Sequence, residues 1–237
     1  MQVRIYKDAA TVAKAAAAVF ADEITKKDGC VIGLATGSTP VPTYQELIRL
    51  NKEGVVDFSK VISYNLDEYV GLAPDHPCSY RRFMNEQLFD HINIDKANTH
   101  VPDGLKCNAA EYEEMIHQAG GVDLQLLGIG TDGHIGFNEP ADEFVYPTNI
   151  VKLTEGTRKD NARFFNSLDE VPTSAISMGI GTIMSARRIL MIITGKNKAD
   201  TVVAALKGPV APQMPASILR MHQNVLVLLD EDAASKL

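Results

Sequence analysis

Residues 122–140 read VDLQLLGIGTDGHIGFNEP. The first half, Val122 to Ile129, is an apolar run with the length and character of one buried strand. The second half crowds Asp132, His134 and Glu139 into eight residues, among glycines at 128, 130, 133 and 136. A parallel strand that ends in a polar loop is where open α/β sheets carry their chemistry. Histidine titrates near neutrality, and a flanking carboxylate sets its tautomer and proton affinity. The glycines allow tight turns and close approach of a ligand to the backbone. The stretch therefore reads as a proton-transfer loop on a parallel sheet. Gly128-Ile-Gly130-Thr-Asp-Gly133 also matches G-x-G-x-x-G. That fingerprint needs a helix to start at once, to hold a pyrophosphate on its N-terminus. Gly136, Asn138 and Pro140 argue against such a helix, so the dinucleotide reading is set aside.

Working outward, further short apolar runs lie at Val31–Ala35, Val61–Asn65, Ile189–Thr194 and Val225–Leu229. Helical patterns fall between them, around 41–53, 79–91, 108–119 and 197–207. This alternation predicts an α/β fold, an open and mainly parallel sheet with helices on both faces. The alanine-rich segment 9–21 is interrupted by Lys14 and has no basic leader or cleavage pattern. Val12, Ala16, Val19, Phe20 and Ile24 share one helical face instead, so this segment is expected to be an ordinary core helix. With no linker or repeat, residues 1–237 are expected to form one domain. The segment from about Asp142 to Thr173 is polar, lacks an obvious strand and carries Lys152, Arg158, Lys159 and Arg163. It reads either as a lid beside the catalytic loop or as a solvated surface excursion.

Composition narrows the function. With 23 Lys and Arg against 30 Asp and Glu, the formal charge is −7, which argues against nucleic acid as a partner. No apolar run approaches the length of a membrane span, so no membrane role is expected. Cys30, Cys78 and Cys107 are odd in number and too far apart in sequence for a metal site. Reduced, structural thiols in the cytoplasm are the expectation.

Three more loops follow strands. Gly33-Leu-Ala-Thr-Gly-Ser-Thr-Pro40 precedes a helix that Pro40 can open. The backbone N–H groups of Gly37, Ser38 and Thr39, two hydroxyls and the helix dipole would cradle an anion. The P-loop lysine is absent, which favours a monophosphate over a nucleoside triphosphate. Ser63-Tyr-Asn-Leu-Asp67-Glu68-Tyr69 sets two carboxylates side by side. Alternation sends them in different directions, so only one enters the cleft; a carboxylate there reads either as a general base beside a substrate carbon or as a helix or turn cap. Thr194-Gly-Lys196-Asn-Lys198 offers cations at the same sheet edge.

Together, GLATGSTP, NLDEYVGL, GIGTDGHIGFNEP, NARFF and TGKNKA resemble the glucosamine-6-phosphate deaminase family, in order and along nearly the whole chain. The resemblance implies a fold shared with 6-phosphogluconolactonases, ribose-5-phosphate isomerases and CoA transferases. It implies conversion of glucosamine 6-phosphate and water to fructose 6-phosphate and ammonia, with no cofactor and no metal. His134 would open the pyranose ring, with Asp132 and Glu139 orienting the imidazole. Asp67 would move a proton from C2 to C1. Gly37, Ser38, Thr39, Arg163 and Lys198 would bind the phosphate, Arg163 from the lid.

The longer, hexameric members carry a basic Ser-Arg-x-Arg-x-Lys stretch after Asn-Glu-Pro and a C-terminal extension. Here the matching residues are Tyr146-Pro-Thr-Asn-Ile-Val151, and the chain stops at Leu237. A non-allosteric enzyme is therefore expected, with a monomer favoured over a hexamer. The competing readings are a 6-phosphogluconolactonase-like hydrolase and, more distantly, a phosphosugar-sensing module without catalysis.

Overall fold

A computed structural model describes all residues, Met1–Leu237. In chain order the elements are β1 (Gln2–Tyr6), α1 (Ala9–Lys26), β2 (Val31–Leu34), α2 (Val41–Lys52), β3 (Ile62–Asn65), β4 (Asp67–Tyr69), α3 (Tyr80–Gln87), β5 (Thr99–His100) and α4 (Ala109–Gln118). They continue with β6 (Leu124–Leu127), β7 (Asn149–Lys152), α5 (Glu155–Asn161), β8 (Ser174–Ser177), α6 (Ile180–Met184), β9 (Arg188–Ile193), α7 (Ala199–Lys207) and β10 (Val225–Asp230). Seven strands form one sheet in the order β1-β10-β9-β6-β2-β3-β5, and every pair in it is parallel. Strands β2, β6 and β10 are buried at every residue, which requires helices over both faces. The expected α/β architecture is therefore the observed one.

Local sequence explains the helices that frame the cleft. Ser79 caps α3 by accepting the Arg81 N–H, Asn108 caps α4, and the Pro40–Pro42 segment opens α2. Helix α1 buries Val12, Ala16, Phe20 and Ile24, four of the five residues expected on its core face. Val19, the fifth, is only half-buried at the edge of the same core. No helix is long and apolar enough to cross a membrane.

The order of the strands places the site. From β2 the chain builds outward to β3 and β5, and it then returns to β6 and builds the other way to β9 and β10. The reversal lies between β2 and β6, and open α/β sheets form their binding crevice at the carboxyl ends of the strands flanking such a switch. Gly33 of β2, paired with Gln125 of β6, leaves room for the buried Gln125 side chain. A Cβ there would lie 2.0 Å from Oε1 of the buried Gln125 on β6.

Segment 142–173 departs from the sequence reading. It contains a strand, β7, which pairs antiparallel with β8; β8 in turn pairs antiparallel with β4. The Asn-Ile-Val-Lys sequence of β7 has only two apolar residues, and its exposed Ile150 hides the usual alternation. Glu113 on α4 anchors this small sheet by accepting from the Thr148 and Thr182 hydroxyls. The sequence reading also misses β1, an edge strand on which Val3 and Ile5 are exposed.

Candidate active site

A cleft of about 530 Å³ opens at the carboxyl ends of β2, β3 and β6. Its wall includes Gly37, Ser38, Thr39, Asp67, His134 and Arg163, residues drawn from four separate stretches of the chain. The strands are parallel, so the loops that follow them meet at one edge.

Loop 128–140 has no helix; it is a series of turns. Gly133 and Gly136 take φ of 89° and 58°, a region that penalises a side chain. The Gly130 N–H donates to the His134 carbonyl at 2.9 Å and closes the turn that presents the imidazole. A side chain at Gly130 would collide with that ring, its Cβ lying 2.2 Å from Nδ1. Neighbouring elements clamp the loop from behind. Lys198 Nζ donates to the Ile129 carbonyl at 2.9 Å, and Thr201 Oγ1 to the Thr131 carbonyl at 2.6 Å. Asn138 Nδ2 donates to the carbonyls of Ile135 and Met178.

Asp132 and His134 are brought together. Nδ1 of the ring lies 2.7 Å from Asp132 Oδ1, and the same oxygen accepts the His134 backbone N–H at 3.2 Å. Burial raises the Asp132 pKa, but its contacts with His134 outweigh this and hold the carboxyl below its usual range. Glu139 is not brought to the imidazole and makes no ion pair with it. Its carboxylate accepts the Thr154 N–H at 3.0 Å, the Thr154 hydroxyl at 3.2 Å and the Thr157 hydroxyl. Glu139 thus holds the start of α5, the helix that leads to Arg163.

Asp67 and Glu68 diverge as alternation requires. Asp67 is 6 % exposed and lines the cleft. Glu68 turns away to the start of α3, where it accepts from Ser79 Oγ and from the N–H groups of Tyr80 and Arg81. No cation neutralises Asp67, and burial together with the Glu68 charge pushes its pKa up to about 8. Gly136 brings the catalytic loop close to it, since a Cβ there would sit 3.6 Å from Asp67 Oδ2.

Gly37 has φ 99°, and it lines the cleft together with Ser38 and Thr39. The buried Tyr44 hydroxyl fixes the base of this turn by bonding to Ala35 N and O. Arg163 is exposed, with its guanidinium 4.8 Å from the Phe164 ring centre. Lys198 lies off the cleft wall, on the loop carbonyl already described, and burial lowers its pKa.

Sequence reading missed the aromatic wall of the cleft. Tyr69 packs against Tyr80, Phe137 and Phe165 with ring centres 4.9–5.7 Å apart, and Tyr80 stacks on Phe137. These residues come from four distant stretches, and no local pattern joins them. The cysteines form no disulfide, and Cys30 is buried in the core. Cys78 is more than a packing residue, because it lines the cleft and its thiol donates to the Phe164 carbonyl at 2.9 Å.

Comparison with known proteins agrees with this geometry. Residues 7–228 match the family model described as glucosamine-6-phosphate isomerases/6-phosphogluconolactonase. The chain is 52% identical to a glucosamine-6-phosphate deaminase of Shewanella woodyi, covering all of this chain and 91% of that protein. It is 51% identical to one of Clostridium perfringens, with full coverage of both. A solved structure described as a monomeric glucosamine-6-phosphate deaminase superposes with a TM-score of 0.97 at 44% identity, again over both whole chains. The 6-phosphogluconolactonase of Thermotoga maritima shares the fold at 20% identity, with a TM-score of 0.76 over 97% of this chain and 99% of that one. The chain belongs to the glucosamine-6-phosphate isomerase/6-phosphogluconolactonase family.

Proposed function

We propose that this protein converts glucosamine 6-phosphate and water to fructose 6-phosphate and ammonia. The observation that carries the reading is an uncompensated buried carboxyl, Asp67, sharing one cleft with the Asp132–His134 pair and an anion-binding turn. Proton transfer to and from neighbouring carbons needs such a carboxyl, whereas hydrolysis of a lactone does not.

The turn at Gly37, Ser38 and Thr39 takes the phosphate, and Arg163 closes over it from segment 142–173, acting as a lid. Lys198 contributes positive field from behind the loop. His134, oriented by Asp132, passes the anomeric hydroxyl proton to the ring oxygen and opens the sugar to its aldehyde. Asp67 then takes the C2 proton, leaving an enolamine, and returns it to C1. The product is a C2 ketimine; water adds at C2, and the C–N bond breaks to release ammonia and the ketone. Asp67 must be ionised to begin. The ammonium of the bound sugar supplies the cation that the chain's own residues do not place beside Asp67, and this favours the ionised form.

Glu139 supports the site by holding α5 and with it the position of Arg163. The chain acts as a monomer with hyperbolic kinetics, because Tyr146–Val151 lacks the basic residues expected of an allosteric site. The test is to follow ammonia and fructose 6-phosphate together from glucosamine 6-phosphate, with 6-phosphogluconolactone as a parallel substrate. Equal release of both products supports the reading. Lactone hydrolysis without ammonia refutes it.

A further inference from the structure

We propose that Glu68 is a positioning residue for Asp67: an ionised carboxylate locked beneath the start of α3, it fixes its neighbour in the cleft and governs how readily that neighbour gives up its proton. The proposal rests on the reading of Asp67 as the carbon base.

The geometry around Glu68 is saturated. Its side chain is 2 % exposed. Oε1 accepts the N–H groups of Tyr69 at 2.9 Å and Tyr80 at 3.0 Å. Oε2 accepts Ser79 Oγ at 2.7 Å and Arg81 N at 3.1 Å. Each oxygen thus receives two donors, and a carboxylate oxygen offers about two lone-pair sites. A proton on Oε1 would face two N–H groups, and one on Oε2 would need the Ser79 hydroxyl to turn from donor to acceptor, so the site favours the anion. Burial works against this and raises the Glu68 pKa, while the four donors and the positive end of α3 oppose the rise.

The Glu68 charge also reaches Tyr69, Tyr80 and Arg81, but at Asp67 no cation offsets it. Around Asp67 the titratable groups are Glu68 and Tyr69 on β4, Tyr80 on α3, Tyr112 on α4 and His134 across the cleft. Arg81 is the nearby cation, but its guanidinium is turned to Thr99, donating to Oγ1 at 2.7 Å and to the carbonyl at 2.6 Å. Asp67 therefore feels a fixed negative neighbour and no matching positive one. Three of these bonds, to Ser79, Tyr80 and Arg81, tie β4 to the start of α3, which keeps Tyr69 and Tyr80 against each other as the wall beside Asp67. Glu68 thus couples the shape of the cleft to the protonation of its base.

The experiment compares pH profiles of kcat/KM for the wild type, Glu68→Gln and Glu68→Asp, with Asp67→Asn as reference and thermal melting to establish folding. Removing the charge is expected to move the rising limb about one unit toward acid in Glu68→Gln. Glu68→Asp, which keeps the charge, is expected to return the limb toward the wild-type position. A folded Glu68→Gln enzyme with an unmoved limb overturns the proposal. If Glu68→Gln does not fold, carboxyl titration of the wild type by carbon-13 NMR carries the test. Glu68 is expected to stay ionised through the whole rise of activity; a Glu68 that gains its proton in the same pH range as Asp67 overturns the proposal. Asp67→Asn separates the two levels. Full activity in that variant refutes the base assignment, whereas an inactive Asp67→Asn beside an unmoved Glu68→Gln limb refutes only the role of Glu68.

Discussion

Nδ1 of His134 lies 2.7 Å from Oδ1 of Asp132, and that one oxygen also accepts the His134 backbone N–H. The carboxylate therefore holds both the ring and the chain that carries it. A carboxylate at that distance favours the proton on Nδ1, the tautomer in which Nε2 keeps a lone pair for the sugar. Asp132→Asn removes the charge that stabilises the imidazolium formed during ring opening. The expected result is a fall in kcat of about 10²–10⁴-fold with KM little changed, because the group acts through proton transfer. Steady-state kinetics at saturating substrate measure it; an unaltered kcat contradicts the pairing.

Gly130 should tolerate no side chain for a functional reason. Its φ lies outside the left-handed region, so an added methyl meets no backbone penalty and encounters the His134 ring and Asp132 Oδ1, the latter 2.6 Å away. Gly130→Ala is expected to lower kcat by about 10²-fold, since small misplacements of a catalytic group cost that much. The melting temperature should change little. A large loss of stability with normal kcat in the surviving fraction would show that the collision is relieved elsewhere.

Glu139 bonds to Thr154 and Thr157 at the beginning of α5, away from the imidazole. Glu139→Ala should therefore loosen the segment bearing Arg163, with faster amide hydrogen exchange across residues 154–164 and a higher KM. Exchange confined to the wild-type pattern would mean that the Thr154 and Thr157 bonds do not hold the segment.

Stability should also record the state of Asp67. Its pKa is about 8 in the folded protein, against 3.8 for an ordinary aspartate. Between those values the unfolded chain has lost a proton that the native one keeps. The stability that this proton provides is complete below about pH 4, and it is lost as pH rises toward 8. The wild type should therefore lose stability relative to Asp67→Asn by up to about 1.4 kcal/mol per pH unit across the window. Urea unfolding of both proteins at pH 5, 6, 7 and 8 checks this. Curves that stay parallel would mean that Asp67 ionises normally.

Those two carboxylates also mark what the sequence could reveal. Asp67 and Glu68 are adjacent, and strand alternation suffices to say that only one serves the cleft; that the other receives the N–H groups at the start of α3 depends on tertiary packing. The apolar runs of β2, β6, β9 and β10 are legible because both faces of each are buried, and Gln125 of β6 is the one polar residue inside a strand rather than at its end. Strands β1 and β7 are not legible, for the opposite reason: they lie at sheet edges and expose apolar residues. Glu139 stands in the right loop, but its bonds go to Thr154 and Thr157, fifteen and eighteen residues away. Nothing in the spacing of Asp132, His134 and Glu139 distinguishes a partner of the ring from a tether of α5. The aromatic wall is tertiary in the same sense, since Tyr69, Phe137 and Phe165 meet only once β4 and β8 have paired.

The role of Asp67 in carrying hydrogen from C2 to C1 can be read directly by running the reaction from C2-deuterated glucosamine 6-phosphate in ordinary water and locating the label in fructose 6-phosphate by NMR. Part of the deuterium is expected at C1, the rest being washed out to solvent from a carboxyl that holds it between two carbons. Asp67→Asn is expected to form neither labelled nor unlabelled ketose. Normal turnover by that variant, with deuterium still delivered to C1, would contradict the assignment.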